Sequence, residues 1–351
     1  MGKAESKKQP VVTRTWVFKE SEVRGLRESI PNGKVFVSCH DSKTVETNTG
    51  TTLVHATGLA ADLEMIQAHV HLHRLGGRVL DLSVDDNPKL EGRILIEVYV
   101  DEANPLTSVE STGSSRVVLE DGSLARSSVT IHKLGSGSVY VNFLNDLDID
   151  ELFVTLTGSG TIACMAPQLT ITKSLVSTVQ GSGGIQFLGN HIRAPSISAS
   201  IKGSGSTLFD AANLVAYDVV SSVVGSGSIR YAHAGSVDPN RLSVSGSGKV
   251  VTNALLANSA AVSIVGSGTI VTQAMESLHG AVVGSGSVEY VEPSPKHIQV
   301  TTSSRGEHVK LADRKPSKAA TPPTVPTRDI EDDVFSFSGS FLGWLNVKFN
   351  A

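Results

Sequence analysis

The tripeptide Gly-Ser-Gly recurs eight times between residues 135 and 286. Its first glycines are Gly135, Gly158, Gly181, Gly203, Gly225, Gly246, Gly266 and Gly284. The interval between copies shortens gradually along the chain, and a degenerate copy, "STGSSRVVL", places Gly113 one further interval earlier. Self-similarity at a near-constant period indicates a repeat architecture in which each unit packs only on its neighbours.

The residues around each copy are apolar at every second position, which is typical of half-buried strands. Two residues before the first glycine stand Leu156, Val179, Ile201, Val223, Val244, Ile264 and Val282, with Lys133 as the exception. Four residues after it stand Val117, Val139, Ile162, Ile185, Thr207, Ile229, Val250, Ile270 and Val288. Six residues after it stand Val141, Cys164, Phe187, Phe209, Tyr231, Thr252, Thr272 and Tyr290. A flexible linker would have polar neighbours instead, and a dinucleotide-binding loop would need a third glycine and a following helix.

The copies are 18 to 23 residues apart, a repeat length that predicts one coil of a parallel β-helix. A four-stranded blade takes ~40 residues or more, whereas stacked coils place equivalent residues about 4.8 Å apart. The apolar columns then become interior ladders such as Phe187 on Phe209 on Tyr231, with Gly-Ser-Gly at a sharp corner. We therefore predict an all-β fold: a single-stranded parallel β-helix (solenoid) of about nine to ten coils, roughly 45 Å long, preceded by an N-terminal β segment.

The repeats resemble those of the family described as putative auto-transporter adhesin, head GIN domain. The shared pattern is present in "LTGSGTIAC", "IKGSGSTLF", "VVGSGSIRY", "VSGSGKVVT", "IVGSGTIVT" and "VVGSGSVEY". The preceding β segment is similar in "ADLEMIQAHVHLHRLGGRVLDLSVDD" and "EGRILIEVYV". The resemblance covers about residues 15–312. It implies a β-helix whose surface serves adhesion or interaction, and family members that are mostly exported.

Composition divides the chain into five parts. We predict a disordered tail at 1–14, the N-terminal β segment at 15–112, the repeat β-helix at 113–312, a Pro-rich linker at 313–333 and an aromatic tail at 334–351. The aromatic tail contains Phe335, Phe337, Phe341, Trp344 and Phe349, five of the 17 aromatic residues. Disordered segments are poor in aromatic residues. The tail is therefore expected to dock, either on the open end of its own β-helix or on a partner protein or membrane.

The N-terminus, "MGKAESKKQPVV", lacks the apolar core of a secretory signal. It matches the N-myristoylation pattern, with Gly2 as the acceptor and Ser6 at the required position, although a chance match is an open alternative. The two cysteines, Cys39 and Cys164, are too few for a disulfide framework and favour a reducing compartment. No run of 18 apolar residues predicts a membrane span, and a net charge of −4 disfavours nucleic acid as a partner.

Two clusters are candidates for metal or acid–base chemistry. In "NDLDIDE" the strand alternation should turn Asp146, Asp148, Asp150 and Glu151 outward, as a solvated face or a weak Ca²⁺ site. In "HVHLH" the same alternation places His69, His71 and His73 on one face, as an exposed polar face or a weak metal site. The acidic cluster has no matching carboxylate column in neighbouring coils, and three histidines along a straight strand cannot easily share one ion. We therefore predict no catalytic residues and no cofactor.

An outward column of hydroxyl residues lies three positions before the first glycine. Its members are Thr155, Thr178, Ser200, Ser222, Ser243 and Ser263, which we call the hydroxyl ladder. Short polar side chains simply fit outward strand positions, but a regular array at coil spacing could also recognise a glycan, a protein or another copy of the rod.

These observations predict a non-enzymatic, adhesin-like interaction or scaffold protein. Without a secretion signal, the expected location is the cytoplasm or the cytoplasmic face of a membrane, with peripheral membrane contact through Gly2. The alternative is a cell-surface adhesin that binds a glycan or a protein. A carbohydrate-active enzyme on the same fold is the third interpretation. A rod of this kind could also associate with another copy of itself.

Overall fold

The computed structural model describes residues 10–19, 22–40, 50–72, 77–84, 90, 93–303, 308–313 and 320–330. The described part of the N-terminal β segment contains β1 (Val11–Phe18), β2 (Val23–Ser29), β3 (Lys34–His40), β4 (Thr52–Leu59), α1 (Ala60–Glu64), β5 (Ile66–Leu72), β6 (Arg78–Val84) and β7 (Leu95–Asp101). Within these ranges α1 is the only α-helix.

The repeat region forms a β-solenoid of about nine turns, which confirms the predicted fold class. Its first strands are β8 (Ser108–Thr112), β9 (Arg116–Leu119), β10 (Ser128–Gly135), β11 (Ser138–Asn142), β12 (Leu147–Gly158), β13 (Thr161–Met165), β14 (Gln168–Gly181), β15 (Gly184–Gly203) and β16 (Ser206–Gly225). The remaining strands are β17 (Ser228–Tyr231), β18 (Gly235–Val237), β19 (Asn240–Gly246), β20 (Lys249–Val251), β21 (Leu255–Gly266), β22 (Thr269–Thr272), β23 (Ala274–Val283), β24 (Ser287–Tyr290), β25 (His297–Thr302) and β26 (Val309–Leu311).

Strands in successive coils pair in parallel and in the register that the Gly-Ser-Gly repeat predicts. Gly203 pairs with Gly225, and Gly225 pairs with Gly246. The N-terminal β segment extends the solenoid's sheets beyond the first coil. One series runs β9–β3–β7–β4–β1, and the other runs β8–β2–β6–β5, with antiparallel pairs at the outer edges.

The predicted inward columns form the core. Members of the column two residues before the glycine are at most 2% exposed, as in Val179, Val223 and Ile264. The aromatic ladder is also present: the ring centroids of Phe187 and Phe209 lie 4.9 Å apart, and those of Phe209 and Tyr231 lie 4.6 Å apart. Interplanar angles of 7° and 5° show that the rings stack nearly parallel.

Each corner needs glycine because two coils approach closely there. Gly225 has a φ of 121°, a conformation that side chains with a Cβ rarely adopt. A Cβ at this position would also lie 2.4 Å from the carbonyl oxygen of Gly203 in the preceding coil. The repeated glycine is therefore a consequence of coil stacking.

Lys133, the exception in the apolar column, points into the core with no exposed surface. Its Nζ donates a 2.9 Å hydrogen bond to Ser111 Oγ. The hydroxyls of Ser111 and Ser115 each donate to Glu28 Oε2 at 2.7 Å, and the Ile30 amide donates to the other Glu28 oxygen. Burial raises the pKa of Glu28 and lowers that of Lys133. This polar cluster joins the N-terminal β segment to the first coils.

Residues 320–330, which we call the strap, lie against the outside of the solenoid. They belong to the stretch that composition predicts to be a Pro-rich linker. Val325 and Ile330 pack on a cluster formed by Phe36, Leu95, Val118, Tyr140 and Ala163. The predicted boundaries at 313 and 333 stay predictions, whereas this central part is in contact with the body of the protein.

Candidate binding surfaces

The hydroxyl ladder occupies one outward column on the strands that precede the corners. Thr155 pairs with Thr178, Thr178 with Ser200, Ser200 with Ser222, Ser222 with Ser243, and Ser243 with Ser263. The side chains are half-buried between their neighbours, except for the exposed Ser263. Ser200 Oγ donates a 3.3 Å hydrogen bond to Thr178 Oγ1, so adjacent hydroxyls partly satisfy each other. Binding by this ladder stays a prediction.

An apolar strip runs beside the C-terminal half of the hydroxyl ladder. It lies one residue before the first glycine, where Val224, Val265 and Val283 are 49%, 52% and 51% exposed. Ser245 occupies the intervening coil in the same register. This face therefore presents hydroxyl and methyl groups side by side, a mixed character that the hydroxyl pattern alone does not predict.

A trough on another face of the solenoid was not predicted from the sequence. It is a cavity of about 310 Å³ that crosses three coils. One wall contains Thr170, Arg193 and Val215, and the other contains Thr172, Pro195 and Tyr217. The residues between the walls, Ile171, Ala194 and Ala216, point into the core. Two of these three residues are alanines. In the sequence, the trough was indicated only by these small side chains in consecutive coils.

The trough combines an exposed aromatic ring with groups that can donate hydrogen bonds. Tyr217 is 69% exposed and is the only aromatic residue among the large exposed apolar side chains in the described ranges. The exposed guanidinium of Arg193, on the opposite wall, makes no hydrogen bond or ion pair with any described residue. Ligand pockets commonly have this composition, a mainly apolar lining with a few placed polar groups.

The predicted acidic cluster borders the trough. Leu147 and Ile149 are buried, while Asp146 and Asp148 are exposed, as strand alternation predicts. Asp150 accepts a 2.6 Å hydrogen bond from Thr172 Oγ1, which lowers the pKa of the Asp150 carboxyl, and Lys173 Nζ lies 3.6 Å away. The acids therefore spread along an outer face, and Asp150 pairs with its neighbours Thr172 and Lys173.

The histidine cluster is described only in part. His69 and His71 are exposed on β5, opposite Asp81 and Val79 of β6, and His73 lies outside the described residues. Within the described ranges, no three His, Cys, Asp or Glu side chains converge closely enough to hold a metal ion. A metal site that involves His73 stays a prediction.

Other predicted sites can be placed only incompletely. Gly2 and the aromatic tail, residues 334–351, lie outside the described residues. Cys164 is buried in its inward column, and this burial raises the pKa of its thiol to about 12. Among the described residues, no helix has the length and apolar character that crossing a membrane would require.

The fold and these surfaces define a parallel β-solenoid with a regular polar exterior. Residues 168–292 match the model of the family described as "Putative auto-transporter adhesin, head GIN domain", which confirms the resemblance indicated by the repeats. The matched region includes the whole trough and five of the six hydroxyl-ladder residues. No curated protein matches the sequence.

Several solved structures are similar over most of their length. A putative adhesin from Parabacteroides distasonis shares 15% identity, with coverage of 87% of this chain and 98% of that chain and a TM-score of 0.44. A putative adhesin from Parabacteroides merdae shares 12% identity, with coverage of 87% and 98% and a TM-score of 0.40. A putative lipid binding protein from Parabacteroides distasonis shares 17% identity, with coverage of 86% and 97% and a TM-score of 0.42.

Proposed function

We propose that the chain is an adhesin-like protein of the cell surface that binds its partner through the outer faces of the solenoid. The observation that carries this proposal is the family match at residues 168–292, because these repeats build both the trough and most of the hydroxyl ladder. The match favours the cell-surface alternative, and the expected intracellular location has no support from it. A membrane tether through Gly2 and a scaffold role remain untested proposals.

The chemistry of the trough suits a carbohydrate better than an apolar ligand. An exposed Tyr217 ring offers a flat face against which the C–H groups of a sugar ring can pack. Arg193 can donate two parallel hydrogen bonds to a sugar carboxylate or bridge neighbouring hydroxyls, and Thr170 adds a hydroxyl on the same wall. A protein partner is the alternative, with the hydroxyl ladder and its apolar strip as the contact surface.

Binding of the full-length protein to an array of neutral and acidic glycans tests the ligand class. We expect binding that Tyr217→Ala reduces at least tenfold, whereas Asn213→Ala, an exposed change on the same strand, leaves it unchanged. If glycans do not bind but intact cells do, and Ser222→Ala with Ser243→Ala weakens cell binding, the partner is a protein at the hydroxyl ladder.

Surface exposure is tested separately in the native host. We expect an impermeant amine-reactive label to modify the protein on intact cells as readily as a known surface protein. Labelling only after lysis would contradict the proposed location. It would favour the alternative that the protein is an intracellular scaffold.

A further inference from the structure

We propose that the strap occupies a built-in peptide-binding groove, and that it carries the C-terminal residues to the same end of the rod from which the N-terminus departs. The ligand of this groove is an extended peptide containing an Arg-Asp pair, supplied here by Arg328 and Asp329. This assignment is independent of the partner proposed for the trough.

The floor of the groove is an apolar column on an outward face. Val118, Tyr140 and Ala163 stand five residues after successive corner glycines, where alternation directs side chains away from the core. All three are nonetheless at most 8% exposed, as are Phe36 and Leu95. The strap is in contact with this cluster. Outward apolar residues that are buried require a cover, and Val325 and Ile330 of the strap supply part of it.

Arg328 is held by groups of a kind that recognise a guanidinium. Its Nη1 lies 3.0 Å from Glu97 Oε1, and its Nη2 contacts the Glu120 carboxylate and the Ser38 hydroxyl. The guanidinium carbon also lies 5.1 Å from the centroid of the Phe36 ring, within cation–π range. Three strands of the N-terminal end, β3, β7 and the edge of β9, thus converge on one side chain.

Lys34 makes the complementary contact with the next strap residue. Its side chain is only 4% exposed, and its Nζ lies 2.7 Å from Asp329 Oδ1. The same ammonium donates to the carbonyl oxygens of Thr327 and Asp329 at 3.3 and 3.2 Å. These three acceptors all belong to the strap. Withdrawing the strap would therefore remove all three acceptors from the Lys34 ammonium at once.

The strap is nearly fully extended between its two ends. At the first end the Ala320 amide lies 2.5 Å from Asp210 Oδ2 on β16, and Asp210 also contacts His233 at 2.7 Å. From β16 to β3 the chain crosses five strand spacings, about 24 Å at ~4.8 Å each. The eight steps along the chain from Ala320 to Arg328 reach about 26 Å at ~3.3 Å each. The strap is therefore long enough to span this distance in an extended conformation.

This path determines where the two ends of the described chain lie. The strap finishes at β3 and β7, and β1 lies only two strands beyond β7 in the same sheet. The described chain therefore both begins, at β1, and ends, at Ile330, near the N-terminal end of the rod. The last coil, formed by β25 and β26, is at the other end. The placement of the aromatic tail, residues 334–351, stays a prediction because these residues lie outside the described ranges.

Cutting the full chain ahead of the strap tests whether the groove binds it without a covalent link. A protease site placed within residues 314–319 allows cleavage after folding, and size-exclusion chromatography then shows whether the fragment that begins near residue 320 stays bound. We expect co-elution at micromolar concentration. Arg328→Lys, which keeps the charge but loses the planar fork, should speed release about tenfold, and Arg328→Glu should abolish retention.

Arg230→Glu is the matched control, because Arg230 stands at the equivalent outward position five residues after Gly225 and makes no hydrogen bond or ion pair with the described strap residues. Circular dichroism establishes that each variant is folded. Immediate loss of the wild-type fragment, or equal release in the Arg328→Glu and Arg230→Glu proteins, would overturn the proposal.

The position of the C-terminal residues needs a separate measurement on the uncut chain. Spin labels at Glu331→Cys and Thr13→Cys, with Cys39 and Cys164 replaced by alanine, should give a shorter distance than labels at Glu331→Cys and Thr301→Cys. Arg328→Glu should broaden the short distance. A shorter distance to residue 301 would contradict the assigned path.

Discussion

Gly225 and Gly203 face each other across one coil spacing so closely that a Cβ on the first would lie 2.4 Å from the carbonyl oxygen of the second. We expect Gly225→Ala to destabilise the fold by about 2 kcal/mol or more, because steric displacement adds to the strain of a positive φ. Gly113→Ala is the control, since its φ is 88° but no atom lies within 4 Å of the added Cβ. Urea unfolding should show the larger loss at Gly225; equal losses would mean that coil contact contributes nothing.

Two neighbouring valines on β16 point to opposite faces of the solenoid wall. Val223 has no exposed surface, whereas Val224 is 49% exposed. We expect Val223→Asp to destabilise the protein by several kcal/mol, because it buries an unpaired charge, and Val224→Asp to change stability by about 0.5 kcal/mol or less. Thermal unfolding measures both, and a wild-type melting temperature for Val223→Asp would refute the interior column.

Lys133 and Glu28 make stability depend on pH in a defined direction. Burial raises the pKa of Glu28, so its stabilising contribution is present below the ordinary value of 4.5 and is lost as pH rises through the raised pKa. Lys133→Met removes the cation that opposes this shift. We therefore expect a loss of about 3 kcal/mol at pH 8 and a smaller loss at pH 5.

Adding Glu28→Gln to Lys133→Met should recover part of that loss and remove its pH dependence, because the amide carries no charge. Lys202→Met, at an exposed position, controls for the loss of a lysine. A pH-independent loss in the Lys133→Met protein would show that the charge of Glu28 is not involved.

Attachment of the strap should weaken in acid. The hydrogen bond from Lys34 holds the pKa of Asp329 below its ordinary value of 3.8. The contribution of this carboxylate is therefore present above that ordinary value and is lost as pH falls through the depressed pKa. In the cleaved protein we expect fragment release to accelerate over that window, and Asp329→Asn to release quickly at every pH. Asp313→Asn, outside the strap, should behave like wild type.

The solenoid could be predicted because each coil repeats the same local rule. Alternation around Gly-Ser-Gly defines which residues, such as Val223 and Phe209, point inward, and the constant offset defines their register. Lys133 was visible as an exception, but its partner Glu28 lies far earlier in the chain and shares no pattern with it. Only the three-dimensional path of β2 beside β8 brings the two together.

The surfaces were harder to predict because they depend on what lies across the coil or far along the chain. Thr155 to Ser263 could be placed outward by alternation alone. The trough depends on small side chains at Ala194 and Ala216 in adjacent coils, which give no distinctive motif. The strap has the composition of a linker. Its groove was indicated only by Val118, Tyr140 and Ala163, apolar residues at positions that should face water.

The coils shorten along the chain, from the long interval between Gly135 and Gly158 to the short one between Gly266 and Gly284, so the solenoid tapers. A tapered rod has a narrow end whose perimeter differs from that of its wide end. If two molecules met end to end, the narrow last coil, β25 and β26, would meet the outer strands of the N-terminal β segment, β1 and β5, and not a coil of matching perimeter. The taper and the antiparallel N-terminal edge therefore both oppose growth into an endless fibre, a hazard for any stack of parallel strands with open ends.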